Sequence, residues 1–122
     1  MNGGIPPDVR QFFADDPLGL AAYQAVRDLL PDDVEVRVST SQVAFRRRRG
    51  FAYLWRPGQY LRNPDAEVVL SIALDREIDS PRFKEVAHPA AHVWMHHLEI
   101  STVDDLDAEV ADWLRKAQDR AG

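Results

Sequence analysis

The apolar periodicity of this chain changes twice, and those changes limit the architectures open to it. Leu18, Ala22, Tyr23, Val26, Leu29 and Leu30 recur at helical spacing until Pro31 ends the pattern. From Val34 the period becomes two, with Val34, Val36 and Val38 alternating with Glu35, Arg37 and Ser39, the mark of a half-buried strand. Near the C-terminus it returns to helical spacing, and Leu106, Val110, Trp113, Leu114 and Ala117 fall on one stripe. Helix, strands, helix is the order expected of an α+β domain whose terminal helices pack on one mostly antiparallel sheet.

The elements can be bounded from their punctuation. Asp15-Asp16 before Pro17 supply cap oxygens for the first helix, and Phe12 and Phe13 predict an extra turn packed under it. After Thr40-Ser41 the alternation resumes at Val43 and Phe45, so a tight hairpin sets Glu35 opposite Arg46. Phe51 to Trp55 reads as a third strand, broken at Pro57-Gly58. Glu67 to Leu74 reads as a fourth, with Val68, Leu70, Ile72 and Leu74 on one side. Ser80-Pro81 has the form of a cap and first-turn proline, which predicts a short helix from Pro81 to Ala87. A fifth strand, Val93 to Ile100, turns Trp94, His96, Leu98 and Ile100 inward, and Ser101-Thr102 caps the last helix. The expectation is about five strands in one domain over residues 12–122, preceded by a flexible tail at 1–11. With 122 residues the chain can bury one core.

Charge is segregated. Between Val36 and Pro64 lie seven arginines (Arg37, Arg46, Arg47, Arg48, Arg49, Arg56 and Arg62) and no acid, so the other 8 bases face all 20 acids. The acidic remainder repels nucleic acid and makes it an unlikely partner except through a local basic face. The chain has no cysteine, which excludes disulfides, thiol catalysis and cysteine-ligated metals. No apolar run reaches the roughly 18 residues of a membrane span, so no membrane partner and a cytoplasmic location are expected.

At Val34-Glu-Val-Arg-Val, Gln42-Val-Ala-Phe-Arg, Gly50-Phe-Ala, Ser80-Pro-Arg-Phe-Lys-Glu-Val and Trp94-Met-His-His-Leu-Glu the chain resembles a bacterial family of unknown function, which also occurs at the end of larger predicted transport proteins. The resemblance spans roughly residues 12–120. It implies the same α+β arrangement and no reaction.

The arginine run decides a hairpin register. A three-residue loop Arg48-Arg49-Gly50, with Gly50 in a left-handed bulge, pairs Arg47 with Phe51 and buries Phe51, Tyr53 and Trp55. A two-residue loop Arg49-Gly50 reverses every side chain and sets those aromatics beside Arg37 and Arg46 as a platform. The first is expected, because large apolar residues are more often buried. His88, His92, His96 and His97 offer no closed metal spacing: Pro89 interrupts the first pair, and adjacent strand residues point to opposite faces. No metal or other cofactor is expected. Ser39, Ser41, Ser71, Ser80 and Ser101 have no nucleophile elbow around them.

These readings converge on a noncatalytic binding module. Its polar sheet face, with Arg37, Arg46, Arg48, His97 and Glu99, would hold an anionic small molecule or an acidic protein segment. The alternative is an enzyme in which His97 is general base, Glu99 orients it and an arginine binds substrate charge. A weaker one is nucleic-acid contact through the arginine hairpin.

Overall fold

The computed structural model describes residues 5–14, 16–57 and 68–122. Asp15, Gly58, Arg62, Pro64 and Glu67, which entered the readings above, lie outside the described residues. In chain order the elements are α1 (Pro7–Phe12), α2 (Pro17–Asp28), β1 (Glu35–Val38), β2 (Val43–Arg46), β3 (Gly50–Trp55), β4 (Val68–Leu74), β5 (Phe83–Ala90), β6 (Val93–Ile100) and α3 (Ala108–Ala121). All six strands join one antiparallel sheet in the order β1-β2-β3-β4-β6-β5.

Local chemistry explains the helix ends. The Asp16 carboxylate accepts the Gly19 N–H at 2.9 Å and starts α2 at Pro17. Arg27 closes the other end by donating to the carbonyls of Pro31 and Asp32, at 2.9 and 3.1 Å. Within the segment expected to be a tail, Pro7–Gln11 is helical, and Val9 is fully buried. Val9 and Phe13 join the core with Tyr23 and Val26. Gly19 is the reason α2 can come so close: a Cβ there would lie 2.2 Å from the Phe13 ring. Gly19→Ala should therefore invert the usual helix rule. Propensity favours alanine by about 1 kcal/mol, whereas overpacking a closed core costs about 1–3 kcal/mol. A net loss of about 1 kcal/mol is expected in chemical denaturation, and a gain would show that Phe13 can move aside.

One sheet face carries the core. Val43, Phe45, Leu54, Leu70, Ile72, Leu98 and Ile100 meet Tyr23, Trp113 and Leu114 from the helices, with the Tyr23 and Phe45 rings stacked at 5.8 Å. The expected inward set of β4 is found there, as is the expected pairing of Glu35 with Arg46.

Three expectations are corrected. Residues 83–87 form the first part of β5, not a helix, so among the described residues the sheet has six strands. The Phe83, Val86 and Ala87 spacing fits a helix, but pairing with β6 along Val93–Leu98 supplies ladder bonds that an isolated turn cannot match. Pro89 is tolerated because β5 is an edge strand and one N–H can be spared. Second, Thr102 does not start the last helix. Asp105 accepts the N–H groups of Ser101 and Thr102 and closes a single 3-10 turn, and α3 begins only after Asp107, whose carboxylate accepts the Val110 N–H at 3.2 Å.

The third correction is the hairpin. Neither expected register forms: Val43 opposes Leu54, Ala44 opposes Tyr53 and Phe45 opposes Ala52, after which the register shifts and Arg46 opposes Gly50. Gly50 does not occupy the left-handed region. The turn is closed by Arg47 N–H to Arg49 O at 3.0 Å, and it docks on α3 through Arg49 N–H to Ala121 O at 3.2 Å. The extra residue on β3 is Phe51, which the bulge returns to the core with no exposure, while Tyr53 and Trp55 face the other side. The expectation that Tyr53 and Trp55 are core is thus overturned.

β4 and β5 run in the same direction with β6 between them, so residues 75–82 must cross back over the sheet. His96 pins this crossing. It is fully buried, its Nε2 accepts the Ile78 N–H at 2.9 Å, and its Nδ1 donates to Trp94 O at 3.0 Å. Arg82 then ties the end of the crossing to α3, reaching Asp107 and Glu109 at 3.0 and 2.9 Å and Asp105 O at 2.7 Å.

Candidate functional site on the outer sheet face

Six residues line up across the face opposite the helices: Arg37, Ala44, Tyr53, Ser71, His97 and Glu85, one from each strand. Ala44 and Ser71 are small, and both are buried, so the middle of the row forms a floor. Tyr53, Trp55, Met95 and His97 stand around it, and Ser41 and Gln42 from the β1–β2 turn complete a recess of about 360 Å³. That volume suits a small organic ligand.

A run of hydrogen bonds crosses the floor. Trp55 Nε1–H donates to Ser71 Oγ at 2.8 Å, and Ser71 Oγ lies 2.6 Å from His97 Nδ1. An indole nitrogen can only donate, so Ser71 accepts there, and its remaining lone pair and its hydrogen let it pair with either neutral tautomer of His97. The Trp55 and His97 rings meet edge to face at 5.9 Å. Burial holds the His97 pKa below the ordinary histidine value, opposed by the charge of Glu85 and assisted by His96.

Toward β1 the face becomes charged. Glu35 lies between two guanidiniums, 3.2 Å from Arg37 Nη2 and 3.9 Å from Arg46 Nε. One carboxylate between two arginines leaves this end one positive charge. Arg46 Nε is buried and has no hydrogen-bond partner among the described residues, although its side chain is 30% exposed. Tyr53 packs over Gly50 beside it, so that a Cβ at Gly50 would force the Tyr53 ring to shift.

The expected site residues divide. Arg37, Arg46, His97 and Glu99 share the outer face, but Glu99 is held by Lys84 at 3.4 Å and the partner at His97 Nδ1 is Ser71. Arg48 is exposed at the hairpin tip and does not line the recess. Beside it the Arg47 guanidinium pairs with Asp33 at 3.1 Å, and the Arg49 backbone N–H docks on α3. Among the described residues no three His, Asp or Glu side chains are grouped to hold a metal. His88 stacks on Trp94, with ring centroids 3.6 Å apart.

Sequence reasoning passed over Ser71 and Met95 as site residues and set Tyr53 and Trp55 beside the arginines only in the two-residue-loop alternative. Ser71 offered a signal, as the one hydroxyl in the apolar run Val68–Leu74 at a position facing away from the core. Its two partners come from other strands, so no local motif marks them.

A family described as a domain of unknown function (DUF5655) matches residues 11–120. The chain belongs to it. The match embraces α2, α3 up to Arg120 and the six strands described, so the outer-face recess lies wholly within the DUF5655 domain. No curated protein and no solved structure matches the chain. Among the described residues no helix is long and apolar enough to cross a membrane.

Proposed function

We propose that this domain is a noncatalytic binding module whose outer sheet face takes a planar, singly charged organic anion. The observation that carries the reading is the presence of an aromatic recess and a guanidinium pair on one sheet face. Tyr53, Trp55 and His97 offer ring contacts. Arg37 and Arg46 hold one positive charge in excess of Glu35, which matches a monoanion and gives charge-assisted hydrogen bonds to it. A recess of about 360 Å³ favours a small molecule over an acidic peptide, which would need a longer groove.

The acid/base alternative is weakened because Lys84 engages Glu99 and Ser71 occupies the His97 nitrogen that a carboxylate would orient. Buried Ser71, already accepting from Trp55, is a poor nucleophile.

The test is titration with benzoate and with neutral benzamide, followed by Trp55 emission in a Trp94→Phe variant where Trp113 stays shielded. Benzoate is expected to bind more tightly, and Arg46→Ala should weaken it by about tenfold or more, as loss of a charged hydrogen bond does. Equal binding of both probes, or no effect of Arg46→Ala, would overturn the role given to charge.

A further inference from the structure

The two edges of the sheet are built differently. On one side the sheet ends at β5, which carries Lys84, Pro89 and two irregularities in its register with β6, features that discourage a further strand from adding. On the other it ends at β1. That strand has neither proline nor lysine, pairs residue for residue with β2, and among the described residues has no strand beyond it. The Ser39 N–H donates to Gln42 O at 2.9 Å, which fixes the parity of the ladder. Backbone groups of Glu35 and Arg37 therefore turn toward β2, and those of Val36 and Val38 turn outward to the open edge.

We infer that β1 pairs antiparallel with β1 of a second copy of this chain, about a two-fold axis at Val36, joining two sheets into one. The charge pattern of Glu35-Val36-Arg37-Val38 selects this register. Only pairings that set outward-turned residues against each other can exchange backbone bonds. Centred on Glu35 or on Arg37, such a pairing puts like charges directly opposite each other, which destabilises it. Centred on Val38, it leaves Glu35 beyond the partner strand. Centred on Val36, the two copies of Val36 exchange both bonds, and Glu35 of each copy stands opposite the partner's Arg37. Two opposite-charge pairs then cross the axis, both made by exposed side chains on the outer face, while Val36 and Val38 stay on the core side. Such a contact is the same on both copies and closes at two. It is also short, at four residues from each copy, and each chain carries a net charge of −5, so the dimer is weak and exchanges with monomer.

The experiment is sedimentation equilibrium of the intact chain without ligand, from about 10 μM to about 1 mM, the range of a weak contact. Its outcome is independent of the anion site. The unaltered chain should dimerise as concentration rises. Glu35→Arg and Arg37→Glu each replace two attractions across the axis with two repulsions, so each variant alone should dimerise about tenfold more weakly or worse. An equal mixture of the two single variants restores two opposite-charge pairs in every mixed dimer and should recover association. The chain carrying both substitutions should dimerise by itself. Exchange of the Val36 amide hydrogen should slow with concentration in the unaltered chain and not in Arg37→Glu. A monomer throughout this range would overturn the inference, as would association that both single variants leave intact or that their mixture fails to recover. A dimer whose formation leaves Val36 exchange unchanged would place the contact elsewhere and overturn it too.

Discussion

Replacing Trp113 with alanine is expected to destabilise the protein by about 3–5 kcal/mol, the range for removing a large buried aromatic. Trp113 is 4% exposed, lies on the stripe with Val110, Leu114 and Ala117, and meets the Phe83 ring at 4.6 Å. Phe83 belongs to the edge strand β5, and its ring also lies 4.7 Å from that of His96. Above Trp113 sits the Arg82 guanidinium, 5.7 Å from the ring centre. One side chain therefore joins α3, β5 and the end of the crossover. Urea denaturation should show a lower midpoint with little change in slope. A loss below about 1 kcal/mol would mean that the helix stripe is not a core contact.

His96→Ala is expected to be comparably damaging, for a different reason. Lost packing at a fully buried position costs about 2–5 kcal/mol. The Ile78 N–H and the Trp94 carbonyl also lose their partner, and one buried unsatisfied group adds about 1–3 kcal/mol. His96→Leu separates the two effects by keeping volume while removing the bonds, and should retain only the second loss. The same residue makes stability pH-dependent. Burial pushes the His96 pKa below the ordinary value of 6.5, against backbone hydrogen bonds to Ile72 and Trp94 and the charge of Glu77, which act upward. The folded protein then binds this proton more weakly than the unfolded chain does, so stability rises with pH. The contribution is complete above about pH 6.5 and is lost as pH falls toward the folded value. His97 adds in the same direction. Denaturation at pH 5.5 and pH 7.5 should give a smaller difference in His96→Leu than in the unaltered chain. An unchanged difference would exclude His96 as a source.

The unlabelled face of the sheet has a chemical logic that the burial pattern alone hides. Val69, Ser71 and Ala73 are buried although they point away from the helices. Ser71 is the member of that set with a hydrogen to give, and it sits where three strands bring an indole, a hydroxyl and an imidazole into line.

Parity along β1, β4 and β6 was legible before any fold was known. His96 inward and His97 outward, Val68 to Leu74 with one apolar face, Glu35 opposite Arg46, and the Trp113 stripe all follow from periods of 2 and 3.6, which are properties of neighbouring residues. The register of the arginine hairpin was not legible, because two loop lengths satisfy the same local pattern and a slip of one residue reverses a strand. Contacts remote in sequence decided it: Arg49 docks on Ala121, and Phe51 bulges into the core while Tyr53 closes over Gly50. The identity of β5 was settled the same way, since Phe83, Val86 and Ala87 fit either a helix turn or a strand until β6 offers its edge. The recess belongs to this second kind of information. Sequence determined which side chains share a face within β4 and within β6, but only strand order and register brought Trp55, Ser71 and His97 within hydrogen-bonding distance, because that proximity is set by pairings between strands and not by spacing along one.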